Sequence, residues 1–402
     1  MKNGKSPGSD GLPREFYRTF WAIIGPDIRA VFEDAFQNGL LNQSQRLGMI
    51  TLLPKSGDPL DPRNKRPITL LNVDYKLLAK ALCNRLALAM PHLVGDLQTC
   101  AVKGHCIQQN LWLMRDLTDF VIERDLPCAL VSLDQQKAFD MVDRGFLMNV
   151  LETFQLHPNF RKWISVLYQE SFSSVIVNGF CSEVFNVERG VRQGCPLSPL
   201  LYVLFSESLS RLLERDSRLV PFVVPGGAKV KCAQYADDVT CVVSSLGSFR
   251  ALSQDLSIFE RATGAKLNPE KTKGLRLGSW RYRDLPFGAS WSDQNIKING
   301  IWFGYDAPVM SPGSERAEVF ESRLETFGTR WLSILGKVTV VNRFVSPILW
   351  YPGAVYPIPR RVLVRLERAI FSFIWSGGTE LVKRAECTKN WRRVVRGGSS
   401  GK

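Results

Sequence analysis

The chain has no C-x-x-C pair, no uninterrupted apolar run of membrane-spanning length, no internal repeat and no low-complexity tract. Each absence removes a class of protein. Nine cysteines, an odd number, stand at 83, 100, 106, 128, 181, 195, 232, 241 and 387. Many sit inside apolar runs, as small buried thiols do. A disulfide framework or zinc site is therefore not expected, and a reducing compartment is favoured. A membrane span needs roughly 18 to 20 uninterrupted apolar residues, so no membrane association through a span is expected. The opening MKNGKSPGSDG is too polar for a signal peptide. Nucleus or cytoplasm is the expected location.

Acidic residues are also in short supply. Asp plus Glu number 38 against 52 Lys plus Arg, a formal charge of +14 over 402 residues. Such a surface attracts polyanions, nucleic acid first and an acidic membrane face second. The surplus is uneven: residues 314–402 hold 16 Lys plus Arg against 7 Glu and no Asp, an excess of nine. With 45% hydrophobic and 22% charged residues the composition is that of a folded protein, and the length suffices for two or three domains.

Periodicity predicts a mixed chain. After the loop KNGKSPGSDGLP, the stretch FYRTFWAIIGPDIRAVFEDAFQNG predicts two helices broken at Gly25-Pro26. GMITLLP (48–54) predicts a strand leading into the turn-rich KSGDPLDPRNKRP, and residues 75–90 predict a helix. In the centre, CALVSLD (128–134) has a buried-strand pattern, RGFLMNVLETF and NFRKWISVLYQ read as amphipathic helices, and SSVIVNG with SEVFNVERG as a hairpin. The loop VRQGCPLSP precedes the helix LLYVLFSESLSRLLERD. Strands KVKCAQYA and DVTCVVSS then place Asp237-Asp238 at a tight hairpin tip. Beyond residue 314, helical stretches such as RRVLVRLERAIFSFIW mix Arg with aromatics, the composition of a clamp over a charged ligand.

Two adjacent aspartates at a hairpin tip repel each other and resist burial unless a positive partner joins them. A divalent cation is such a partner, because hard oxygen donors suit Mg²⁺. Asp134 in VSLDQQKAFD, at the end of its own strand, is the third carboxylate expected nearby. Three carboxylates on neighbouring strand ends would hold two Mg²⁺, for which Mn²⁺ could stand in. That is the apparatus of in-line phosphoryl transfer in a nucleotidyltransferase. The plainer alternatives stay open at this point: a solvated turn for Asp237-Asp238, and helix caps for Asp134, Asp140 and Asp143.

Several segments, in order, resemble the reverse transcriptase of non-LTR (LINE-type) retrotransposons. They are KNGKSPGSDGLPREFY, PKSGDPLDPRNKRPITLLNVDYKLLAKALCNRL, LDQQKAFD, RGVRQGCPLSPLLYVLF, QYADDV, GAKLNPEKTKG and IKINGIWFG. The resemblance implies an α+β right-hand polymerase: fingers over 1–125, an antiparallel-sheet palm over 126–310, a basic helical thumb over 311–385 and a flexible basic tail over 386–402. It implies extension of a primer 3′-hydroxyl with dNTPs on an RNA template, Asp134, Asp237 and Asp238 holding the catalytic metals. Nucleotide contacts fall on Lys55, Arg66, Phe139, Gln193, Gly194 and Lys271, with Phe139 set against the sugar and Lys271 as proton donor to pyrophosphate. Primer or template contacts fall on Tyr235, Gly300, Lys337 and Arg343, with Arg360, Arg361 and Arg365 as further backbone contacts.

Some positions depart from the family's usual residues. Lys103 and His105 stand for proline and arginine around Gly104, Lys65 for an aromatic and Asn299 for an apolar residue. Complete elements of this kind also carry an endonuclease and further nucleic-acid-binding segments. The expectation is a fragment whose target nicking comes from a missing region or another protein. Two rivals stay open: a catalytically inactive RNA-binding remnant, and an RNA-dependent RNA polymerase.

Overall fold

The buried strand Cys128–Leu133 organises one of two five-stranded sheets. A computed structural model describes residues 1–55, 57–268, 270–307, 314–382 and 384; the expected tail over 386–402 lies outside the described residues, as does Cys387. In the five-stranded sheet the order is Ser290–Ser292, Lys273–Leu277, Cys128–Leu133, Asp238–Val243, Cys232–Tyr235. Cys128–Leu133 is the middle strand and is antiparallel to both neighbours. Its side chains alternate between two cores, as a strand covered on both faces must. Ala129, Val131 and Leu133 join the core shared with helices Ser198–Arg215 and Leu246–Thr263. Cys128 and Leu130 point the other way, into the core built by Leu111, Met114, Leu117 and Val121 of helix Ile107–Arg124.

A second sheet interleaves with it in sequence. Strand Leu47–Pro54 pairs antiparallel with Lys65–Leu70 and parallel with Phe172–Val177. The expected hairpin is completed by Phe180–Cys181 and Phe185–Asn186, both paired to Phe172–Val177. Helix Val73–Leu93 follows strand Lys65–Leu70, and its Tyr75, Leu78, Leu82 and Leu86 enter the same core as Val131 and Leu201. One continuous apolar interior therefore runs from this helix into the five-stranded sheet.

The C-terminal helices have their own core. Phe320 and Leu324 of Ser314–Gly328 pack against Leu366, Ile370 and Phe371 of Arg360–Trp375, with Val341, Val345 and Leu349 between. The five residues Val341–Val345 form one turn of π-helix.

The predicted break at Gly25-Pro26 does not occur: Arg14–Asn38 is one helix with Pro26 inside it. Pro26 removes the bond to the Ala22 carbonyl, but both residues are exposed, so water takes that carbonyl and the helix continues. It ends at Gly39, whose positive φ of 76° lets its N–H reach the Ala35 carbonyl. The eight described cysteines are all free thiols.

Candidate active site

Register brings the three aspartates to one end of the five-stranded sheet. Leu133 pairs with Val239, so one step further along each strand sets Asp134 beside Asp238. Asp238 in turn pairs with Tyr235, closing a two-residue turn of Ala236 and Asp237. Ala236 has φ of 55°, a left-handed conformation that costs a non-glycine residue roughly 1–2 kcal/mol. Something must hold that turn. Beyond Asp134, Gln136 N–H donates to the Lys266 carbonyl (2.8 Å) and Asn268 N–H to the Asp134 carbonyl (2.8 Å). The buried Gln135 accepts from the Tyr202 hydroxyl at 2.7 Å. Asp134 thus leaves its strand in a fixed direction.

The electrostatics are those of a site awaiting positive charge. Burial raises the Asp237 carboxyl above its usual range and Asp134 adds to it, while its own backbone N–H and Arg66 pull it back. Asp238 is solvent-exposed as a residue, yet crowding by protein, then by Asp237 and Asp134, pushes its carboxyl up to about 6. Among the described residues none of the three forms an ion pair, and no three ligand side chains already close around an ion. Hard oxygen donors, mutual repulsion and no protein cation in contact form a donor set that fits a divalent metal.

The residues expected at the nucleotide surround these carboxylates unevenly. Phe139 stacks on Tyr202, ring centroids 4.9 Å apart at 9°, and its carbonyl accepts from Val191 N–H at 2.8 Å. Gln193 donates from Nε2 to Asp140 (3.2 Å) and accepts at its carbonyl from Thr69 N–H (2.6 Å). Gly194, with φ of 127°, lies so close that a Cβ there would stand 2.2 Å from the Thr69 carbonyl oxygen; only glycine fits. Arg66 is exposed on the paired strand and biases Asp237, and exposed Lys55 biases Asp140. Lys271 is exposed in the turn that Asn268 ties to Asp134.

On the other side, Asn299 and Gly300 have φ of 48° and 81° between strands Asn295–Ile298 and Ile301–Gly304. These values mark a type I′ hairpin turn, for which Asn-Gly is the favoured pair. Asn299 is therefore the turn's first residue, and an apolar side chain there would serve it poorly. Its carbonyl accepts from the Tyr351 hydroxyl at 2.7 Å. Burial raises the Tyr351 hydroxyl's pKa, and the Asp238 and Tyr235 charges add to it. Helix Pro347–Gly353 thus reaches the Asn299-Gly300 turn through Tyr351. No motif marks Tyr351, because only the return of the C-terminal segment brings it there.

The basic C-terminal residues divide. Arg343, Arg360 and Arg361 are exposed, whereas Arg365 holds Glu321 through two hydrogen bonds (2.8 and 2.5 Å). Lys337 is drawn to the Ile374 carbonyl and the Ser376 hydroxyl at the end of helix Arg360–Trp375, where a cation offsets the helix dipole.

With three carboxylates free of ion pairs among the described residues at the sheet's end, the Gln193-Gly194 loop bonded to the paired strands and an Asn-Gly hairpin bonded to Tyr351, the arrangement can be set against known proteins. Residues 53–303 match the family described as reverse transcriptase (RNA-dependent DNA polymerase). The chain belongs to the reverse transcriptase family. Its fold is accordingly the α+β right hand of these polymerases. It is similar to the "Transposon TX1 uncharacterized 149 kDa protein" of Xenopus laevis, 34% identical over 384 residues, 94% of this chain and 29% of that protein. The Pol polyprotein of element R2DM from Drosophila melanogaster is 27% identical over 276 residues, 67% of this chain and 25% of that one. The RNA-directed DNA polymerase of the mobile element jockey from Drosophila funebris is 24% identical over 400 residues, covering 92% and 42%. These relatives are non-LTR retrotransposon proteins, and this reverse transcriptase chain spans about a quarter to two fifths of their length. Among its described residues no helix is long and apolar enough to cross a membrane.

Proposed function

We propose that this chain extends a primer 3′-hydroxyl with dNTPs on an RNA template, with Asp134, Asp237 and Asp238 as the ligands of two Mg²⁺ ions. The observation that carries the reading is the meeting of three carboxylates that form no ion pair among the described residues, inside a reverse transcriptase match. When bound, the metals would lower the pKa of the attacking hydroxyl and offset charge on the leaving pyrophosphate. The chain's own residues do the positioning. Arg66 and Lys55 grip the triphosphate, Arg by forked contact and Lys as a point charge. Phe139, backed by Tyr202, closes the space a 2′-hydroxyl needs. Gln193 and Gly194 support the templating pair, Lys271 donates a proton to pyrophosphate, and Tyr235 with the Gly300 hairpin steadies the primer end.

In this reading residues 1–125 are fingers, 126–310 palm and 311–385 thumb. Arg343, Arg360 and Arg361, being exposed and without ion pairs among the described residues, are the thumb side chains available to phosphate; Lys337 and Arg365 act mainly within the thumb. The site of action is the nucleus or cytoplasm. The test is primer extension by the purified chain on an RNA template with dNTPs and Mg²⁺, beside Asp237→Asn. Extension that disappears in the variant is the expected result. A folded, RNA-binding chain that extends nothing would replace the polymerase with an RNA-binding remnant, and a preference for rNTPs would make it an RNA polymerase.

A further inference from the structure

The left-handed Ala236 at the catalytic turn is held by two fully buried glutamines. Gln98 and Gln234 are both 0% exposed, and they lie beside each other as a parallel bridge. Gln98 Oε1 accepts from Ala236 N–H (2.9 Å) and from Cys100 N–H (3.0 Å). Gln98 Nε2 donates to the Ala236 carbonyl (3.4 Å) and the Ser206 hydroxyl (3.4 Å). Gln234 Nε2 donates to the same Ala236 carbonyl at 3.0 Å, and Gln234 Oε1 accepts from Ser210. The peptide groups on both sides of Ala236 are thus gripped from below.

We infer that Gln98 is a positioning residue of the polymerase site, setting the aim of Asp237 by holding the Ala236 backbone in its left-handed conformation. The inference rests on the proposed polymerase reading and extends it to a residue with no contact to metal or substrate. Three features distinguish this from ordinary core packing. The gripped residue immediately precedes Asp237. Its conformation is one that alanine does not adopt unaided. And the grip is referenced through Ser206 and Ser210 to helix Ser198–Arg215, which follows directly on the Gln193-Gly194 loop. A single rigid helix therefore carries both the nucleotide loop and the support of the catalytic turn. The Gln98 segment is itself docked on that helix, with Gly95 N–H donating to Glu207 at 3.0 Å and Arg211 to the Leu93 carbonyl at 2.8 Å.

The experiment compares wild type, Gln98→Leu and Gln98→Glu as full chains. Leu removes the grip at similar volume. Glu keeps an oxygen for the Ala236 and Cys100 N–H groups and loses the donor. In Gln98→Leu, kcat should fall about 10²-fold, the loss expected when a reacting group is misplaced by an ångström or so, while KM for dNTP and for template–primer stays within about twofold. Mn²⁺ binding without nucleotide, followed by electron paramagnetic resonance, should weaken severalfold, and Gln98→Glu should lie between the two. Amide exchange at Ala236 should be slow in the wild type and fast in Gln98→Leu. A folded Gln98→Leu with wild-type kcat and Mn²⁺ affinity, only less heat-stable, would make Gln98 a structural residue and overturn the inference. Should that variant not fold, wild-type Ala236 exchanging at the rate of an open turn, or Gln98→Glu with unchanged Mn²⁺ affinity, would overturn it equally. A wild type that never extends a primer would sink the polymerase reading, whereas Mn²⁺ binding and exchange would still judge the grip.

Discussion

In the proposed metal site, the raised Asp238 carboxyl makes divalent-ion binding depend on pH. With its value near 6, Asp238 is about nine-tenths ionised at pH 7, half at pH 6 and about one-tenth at pH 5. A cation must displace the remaining proton, so the divalent-ion concentration for half-saturation should rise about tenfold between pH 7 and pH 5. Asp237, also raised, adds to this in the same direction. Primer-extension rates titrated with Mg²⁺ from pH 5 to 8 would show the trend, but terminal phosphates also titrate near pH 6. Mn²⁺ binding to the nucleotide-free chain is therefore the decisive assay, with Asp238→Asn expected to bind weakly and with a flatter pH dependence. A half-saturation constant that is level from pH 7 to pH 5 would refute the reasoning. Stability follows the opposite course. In metal-free protein the native state keeps the Asp238 proton above the ordinary value of 3.8. That contribution to stability is complete below about pH 4 and is lost as pH rises through about 6. Asp238→Asn should thus raise the unfolding free energy at pH 8 but not at pH 4, by under about 1 kcal/mol because the residue is exposed and screened.

Phe139→Val removes the ring stacked on Tyr202; in single-nucleotide incorporation, discrimination against ribonucleotides should fall by at least about tenfold. Unchanged sugar selectivity would take Phe139 out of that role. Gly194→Ala drives a Cβ into the Thr69 carbonyl and should lower stability by about 1–3 kcal/mol in urea titrations, with KM for dNTP raised; a wild-type midpoint would mean the loop is not held as described. Lys337→Met strips the cation from the end of helix Arg360–Trp375 and should lower stability by roughly 0.3–2 kcal/mol while leaving the salt dependence of duplex binding intact. Arg343→Ala should do the reverse, reducing the slope of log affinity against log salt by about one.

Much of the site could be read from the residues because its carriers are local. A short apolar strand ending in Asp134, a hairpin ending in Asp237-Asp238 and a glycine after Gln193 each have a sequence signature, and β-periodicity predicts which side each strand buries. Pro26 does not end its helix: it lies on an exposed stretch where the freed Ala22 carbonyl is not buried. Asn299, standing where the family has an apolar residue, is a turn residue by its φ of 48°. Gln98 carries no sign of its use, since a glutamine between Leu97 and Thr99 has its meaning only once Ala236 is folded over it.

The sequence by itself determined the strand and helix types, the polyanion-seeking charge and the identity of the paired carboxylates, all of which depend on spacing within a few residues. Only the tertiary structure decided that Leu47 pairs with Phe172 and Leu133 with Val239, that Tyr351 returns to the Asn299 carbonyl, and that two buried glutamines hold the turn before Asp237. Those contacts join segments as much as 138 residues apart in the chain. Their geometry arises from packing around a shared core, a collective property that no local run of side chains encodes.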